Sequence, residues 1–186
     1  YMKEDSFKAK LGATFVLRTN DEIPAKRVLV VGLGKKEELD LEAVRQAAAA
    51  SVNVAKSLGV KSVVSVLHGA GNGGLKPAEC AQAMVEGIRL ASYTFDAYRS
   101  SKKEKPKVAR FDIVSSNGQD VRQAVKGAEL GELMAKGTML ARDLVNTPAR
   151  DMHPEKLVEA ARSIAKGNAS VRVKVYDRSA LTRMGA

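Results

Sequence analysis

Arg27-Val28-Leu29-Val30-Val31-Gly32-Leu33-Gly34 is a valine-rich run, apolar from Val28 onward, that closes on two glycines. Valine carries two heavy atoms on Cβ and suits a pleated backbone better than a helix. A run that is apolar at every position, rather than at every second one, is the pattern of a strand covered on both faces. Upstream, Gly12-Ala13-Thr14-Phe15-Val16-Leu17-Arg18 is strand-like and is followed by a turn signal at Asn20-Asp21. Downstream, residues 61–67 and 109–115 supply two more strand candidates.

Helices with a 3.6-residue period lie between these strands. Leu41, Val44, Ala48, Val52, Ala55 and Leu58 fall on one face, with Asp40 placed to cap the start and Gly59 to close the end. The alanines at 47–50 read as helix filling. A second helix starts near Pro77 and aligns Ala81, Met84, Val85, Ile88 and Ala91. Strands alternating with helices of this length predict βαβ units: an α/β fold with a mostly parallel sheet and helices on both faces.

From about Asp120 the pattern changes to one long helix through Leu130, Leu133, Met134, Met139, Leu140 and Leu144, with Glu132 and Lys136 as an exposed i, i+4 pair. It reads as a connecting helix. Pro148 lacks an N–H and pushes Thr147 out of the α region, so this helix must stop near Asn146. Pro154 suits the first turn of a further helix ending at Lys166-Gly167. Val171, Val173 and Val175 alternate with Arg172, Lys174 and Tyr176, which predicts a half-buried strand, and residues 179–184 can begin another helix. The expected division is an α/β domain over 1–118, a linker helix over 119–147 and the beginning of a second domain over 148–186.

With 186 residues, 45% of them hydrophobic, the chain can bury a core without disulfide or metal. Its single cysteine, Cys80, excludes an intramolecular disulfide and fits a reducing compartment, with the cytoplasm as the default. The first residues are polar and lead into no apolar signal segment, and no run approaches a membrane helix, so a soluble protein is expected. The net charge of +10 raises the prospect of polyanion contact. The densest basic cluster, Arg99, Lys102, Lys103, Lys105 and Lys107 around Glu104, has no interleaved aromatics and reads as a solvated loop.

Candidates for chemistry are few. Gly32-Leu33-Gly34 sits where a dinucleotide fingerprint would lie, but the third glycine is missing and Glu37 and Glu38 oppose a pyrophosphate, so a tight strand-to-helix turn is the better reading. His68-Gly69-Ala70-Gly71-Asn72-Gly73-Gly74 follows a strand; its amides, at Gly69, Gly71, Gly73 and Gly74, either form an anion nest or belong to a mobile loop. His68 and His153, with one cysteine, offer no credible zinc set. Cys80 falls on an apolar helix and reads as a small buried side chain. No Gly-x-Ser-x-Gly elbow occurs, and the acid pairs Asp21-Glu22 and Glu37-Glu38 read as solvated.

The phrase Leu140-Ala141-Arg142-Asp143-Leu144-Val145-Asn146-Thr147-Pro148, the Val-Gly-Leu-Gly strand, and the ending Val175-Tyr176-Asp177-Arg178-Ser179-Ala180-Leu181-Thr182-Arg183-Met184-Gly185 resemble the leucyl (cytosol) aminopeptidases. The resemblance implies a three-layer, macrodomain-like N-terminal domain, incomplete at its start, then a linker helix and the start of a catalytic domain. It implies a parent that is a cytoplasmic homohexamer removing N-terminal residues, leucine preferred, from peptides with two divalent ions, zinc or manganese. The family's acid-rich Asn-Thr-Asp-Ala-Glu-Gly-Arg-Leu motif is absent, and His153 stands where the family has a threonine cap. No catalytic, metal-ligating or cofactor-binding residue therefore carries over, and the segment is expected to be inactive itself and to serve assembly or regulation. The competing expectations are nucleic-acid binding by the basic domain, and nucleotide or ADP-ribose binding at residues 69–74.

Overall fold

A computed structural model describes residues 7–100 and 107–185. The chain divides into two compact units, Tyr1–Met139 and Leu140–Ala186. The first contains β1 (Thr14–Arg18), β2 (Arg27–Val31), a 3-10 turn (Lys36–Glu38), α1 (Leu41–Ser57), β3 (Ser62–Val66), α2 (Pro77–Ser92), β4 (Arg110–Val114) and most of α3 (Gly118–Asn146). The second contains the end of α3, then α4 (Pro154–Lys166) and α5 (Arg178–Arg183).

The fold is α/β, but the single, mostly parallel sheet expected from the sequence is not what the described residues form. They form two two-stranded sheets. β1 and β2 pair antiparallel, from Thr14 opposite Val31 to Arg18 opposite Arg27. The connection over 19–26 is too short for the crossover that a parallel pair needs, so a hairpin is the only solution. β3 and β4 pair in parallel, Ser62 opposite Arg110 through Val66 opposite Val114, with α2 in the crossover as one βαβ unit. β2 is not covered on both faces along its length: Arg27 is exposed and Val28 is 38% exposed.

The core lies between α1 and α2. Val44, Ala48, Cys80, Ala83 and Met84 are its buried centre, closed over by Leu39, Leu41, Leu67, Ala70, Leu75, Ile88 and Ile113. Asp40 caps α1 as expected, its Oδ1 accepting from the Ala43 N–H at 2.8 Å, and Gly59 takes a φ of +64° just past the end. Leu58 lies beyond the last turn and is exposed, contrary to its expected place in the apolar stripe. The alanine run is more than filling. Ala47 and Ala48 are buried where α2 comes so close that a Cβ on Gly87 would stand 2.2 Å from the Arg45 carbonyl oxygen.

α3 meets α2 through small residues. Its buried positions are Gly127, Gly131 and Ala135, while Leu133, expected on its apolar face, is 66% exposed. A Cβ on Gly127 would lie 1.9 Å from the Ala78 carbonyl oxygen, and one on Gly131 would lie 2.7 Å from that of Gln82. Glu132 and Lys136 do pair, at 3.5 Å, but Glu132 is also gripped by Arg89 of α2, whose Nε donates to Oε2 at 2.6 Å while a second guanidinium N–H reaches Oε1.

In the second unit the proline turn forms where expected. Thr147 N–H closes onto the Asp143 carbonyl, Pro148 follows, and the N–H groups of Asp151 and Met152 both donate to the Pro148 carbonyl at 2.8 Å. α4 begins at Pro154 with no side-chain cap from His153, whose Nδ1 instead lies 2.6 Å from Glu155 Oε2. The strand expected over 171–175 is absent. Its valines are exposed and no described strand offers backbone partners, which a strand cannot do without. α5 is capped by Asp177, whose Oδ1 accepts from the Ala180 N–H.

Candidate functional site

The glycine-dense segment leaves β3 at its carboxyl end, where open α/β sheets hold ligands. Gly69, Gly71, Gly73 and Gly74 all take positive φ, between +60° and +89°, a region closed to most side-chain-bearing residues. Two of them are also required by space. A Cβ on Gly69 would stand 2.7 Å from Val44 Cγ2 and 3.2 Å from Cys80 Sγ, and one on Gly73 would stand 3.2 Å from the Leu39 carbonyl oxygen. The loop folds on itself: Gly71 N–H donates to Leu75, Asn72 N–H to Gly69, and Leu75 N–H to Asn72, at 3.0–3.1 Å. Of the four glycine amides, that of Gly71 is thus turned inward to the loop's own carbonyls, together with those of Asn72 and Leu75.

His68 stands at the root of this loop. Its Nε2 lies 3.2 Å from the Val44 carbonyl, which can only accept, so the nitrogen donates. Burial pushes the His68 pKa down, against the opposing pull of the Val44 and Val66 carbonyls. Behind it, Cys80 is fully buried, as the sequence predicted, and burial with the Glu79 charge pushes its thiol up to about 11. At neutral pH about one such thiol in ten thousand is ionised, which does not suit a nucleophile.

The other sequence candidates resolve into structure. Gly32 is glycine because a Cβ there would lie 2.1 Å from the Lys10 carbonyl oxygen, and the Gly34 N–H donates to Ala9 at 3.2 Å. This is the tight strand-to-helix turn predicted, with a backbone amide committed to protein. Glu37 is exposed, and Glu38 pairs with Lys35 at 2.8 Å. Asp21 and Glu22 are exposed in the β1–β2 connection. His68 and His153 lie in different units, and among the described residues no group of three or more His, Cys, Asp or Glu is placed to hold a metal ion. Of the basic cluster, residues 101–106 lie outside the described residues, and Arg99 and Lys107 are exposed. No described helix is long and apolar enough to cross a membrane.

Sequence reasoning missed Glu86, a carboxylate only 9% exposed between α1 and α2. It accepts from Arg45 Nε and from Gln82 Nε2, both at 2.8 Å. The i, i+4 placement of Gln82 and Glu86 beside an apolar face was the available signal.

Comparison with known proteins places this arrangement. The sequence model described as "Cytosol aminopeptidase family, N-terminal domain" matches residues 1–102. A probable cytosol aminopeptidase of Clostridium perfringens is 34% identical over 184 residues, 98% of this chain and 36% of that protein. One of Alkaliphilus oremlandii is 29% identical over 99% of this chain and 37% of its own length. Among solved structures, the bottromycin maturation enzyme BotP in complex with Mn superposes with a TM-score of 0.80 at 29% identity, over 99% of this chain and 36% of that one. A tomato leucine aminopeptidase mutant gives 0.78 at 25% identity, over 99% and 35%. The chain thus spans a little over a third of the relatives it matches. The shared fold and the match over more than half its length show that this chain belongs to the cytosol aminopeptidase family and carries the family's N-terminal domain.

Proposed function

We propose that this chain is the non-catalytic part of a leucyl aminopeptidase, a scaffold that shapes assembly and access to an active site built from other residues. The observation that carries this reading is a pairing of two facts. The chain aligns along nearly its whole length with about a third of proteins named as aminopeptidases, and its described residues gather no metal-holding set. The whole protein would release N-terminal amino acids, leucine preferred, from peptides in the cytoplasm as a homohexamer. Two divalent ions, zinc or manganese, would there activate the attacking water; one solved relative is described as a complex with Mn.

Within this proposal the chain's own residues brace rather than react. Gly127 and Gly131 let α3 seat on α2, and Arg89 fixes it there through Glu132. The domain limits follow the sequence reading: a three-layer, macrodomain-like domain over 1–118, with the β3–α2–β4 unit as its supporting feature, a linker helix over 119–147, and the start of the catalytic domain over 148–186. Leucine p-nitroanilide turnover, assayed on the purified 186-residue chain with added manganese, tests the proposal. No turnover above buffer is expected, and hydrolysis that co-purifies with the chain overturns it.

A further inference from the structure

We propose that the tip of the β1–β2 hairpin is a binding site for a phosphate dianion, gripped by Arg18 and Arg27 with Lys26 at its side. Arg18 and Arg27 face each other directly across the hairpin. The Thr19 N–H bond to the Lys26 carbonyl and the Gly32 N–H bond to the Ala13 carbonyl put the odd-numbered residues of β1 in hydrogen-bonded pairs. Arg18 and Arg27 therefore form a non-hydrogen-bonded pair, the close kind, with Cα atoms about 4.5 Å apart and side chains on one face. Like charges opposed in this way destabilise a hairpin. Elsewhere in the unit Arg45, Arg89 and Arg110 each meet a carboxylate, but among the described residues Arg18, Lys26 and Arg27 make no ion pair.

The two arginines and Lys26 line a recess of about 410 Å³ together with Thr19, Asn20 and Asp21. Its wall is held in shape before any ligand arrives. Thr19 Oγ1 donates to the Ala25 carbonyl at 2.6 Å, Glu22 N–H donates back to Thr19 at 3.0 Å, and Asn20 and Asp21 sit in the left-handed region at φ +48° and +65°. Three cations against the one carboxylate of Asp21 leave a charge of +2 at the recess. Two guanidinium forks each seek a pair of acceptor oxygens. A lone carboxylate has only two to offer, whereas a tetrahedral phosphate dianion satisfies both forks and matches the charge.

The test is calorimetric titration of the full chain with inorganic phosphate at pH 7.5, ionic strength held constant with sodium chloride, alongside thermal unfolding. Wild type is expected to bind one phosphate per chain saturably and to rise in Tm. Arg18→Thr and Arg27→Thr each weaken binding at least tenfold, while Arg162→Gln, in the other unit, leaves it unchanged. Without phosphate at low salt, both hairpin variants are expected to unfold no earlier than wild type, because a repulsion has been removed; this shows that lost binding is not lost folding. A parallel titration with a short single-stranded oligonucleotide separates a phosphomonoester source from a phosphodiester one. No saturable response to phosphate, a response that survives both substitutions, or binding of the oligonucleotide alone overturns the proposal.

Discussion

Gly127 and Gly137 lie in the same helix, yet the same substitution should move stability in opposite directions. A helical glycine replaced by alanine gains about 1 kcal/mol of propensity. At Gly137 nothing lies within 4 Å of the added Cβ, so Gly137→Ala is expected to stabilise by roughly 0.5–1 kcal/mol in urea denaturation. At Gly127 the methyl would meet a backbone oxygen that cannot rotate away, and overpacking of that kind costs about 1–3 kcal/mol, so Gly127→Ala is expected to destabilise on balance. His68 carries a pH prediction. Its folded pKa is lowered, so the unfolded chain binds the proton more readily, and stability falls as pH drops below the unfolded value of about 6.5. His68→Gln should flatten that part of the Tm-against-pH curve between pH 7.5 and 5.5; an unchanged curve would place the imidazole in water. The Asp40 cap and the buried Cys80 were legible because each is a local pattern. Gly127 was not, because a glycine inside a helix reads as a weakness until the chain that crosses it is known.

Between elements, two ion pairs of different burial join the helices. Glu86 is nearly sealed between α1 and α2, so removing its partner leaves a charge short of hydrogen bonds; Arg45→Ala is expected to cost about 2 kcal/mol by urea denaturation. The Arg89–Glu132 clamp is more open, and a double-mutant cycle should return a coupling of about 0.5–1 kcal/mol that shrinks in high salt. Arg89 holds the Glu132 carboxyl below the usual carboxylate range. That coupling is therefore present at neutral pH and is lost as pH falls through the lowered pKa. Helices α1, α2 and α4 were readable from period, prolines and caps. Strand pairing was not: 171–175 has the alternation of a strand, but alternation supplies no partner, and the expectation of one parallel sheet overlooked how short a link joins β1 to β2.

At the scale of the whole molecule, the chain is an alanine- and glycine-packed α/β unit followed by a second unit that starts within α3 and contains the proline turn. Its family was legible in the phrase around Asn146 to Pro148, because that wording encodes a helix end and a rigid turn together. Reaction chemistry was not legible in it, since the two histidines, the cysteine and the acids are scattered in sequence, and among the described residues the fold gathers no group of three that could hold a metal ion. The scaffold reading turns on whether this polypeptide can hold catalytic ions by itself. Equilibrium dialysis of the purified chain against micromolar manganese and zinc, with bound metal quantified per chain, measures that directly. The expected result is no stoichiometric metal retained; two ions per chain, tightly held, would contradict the account.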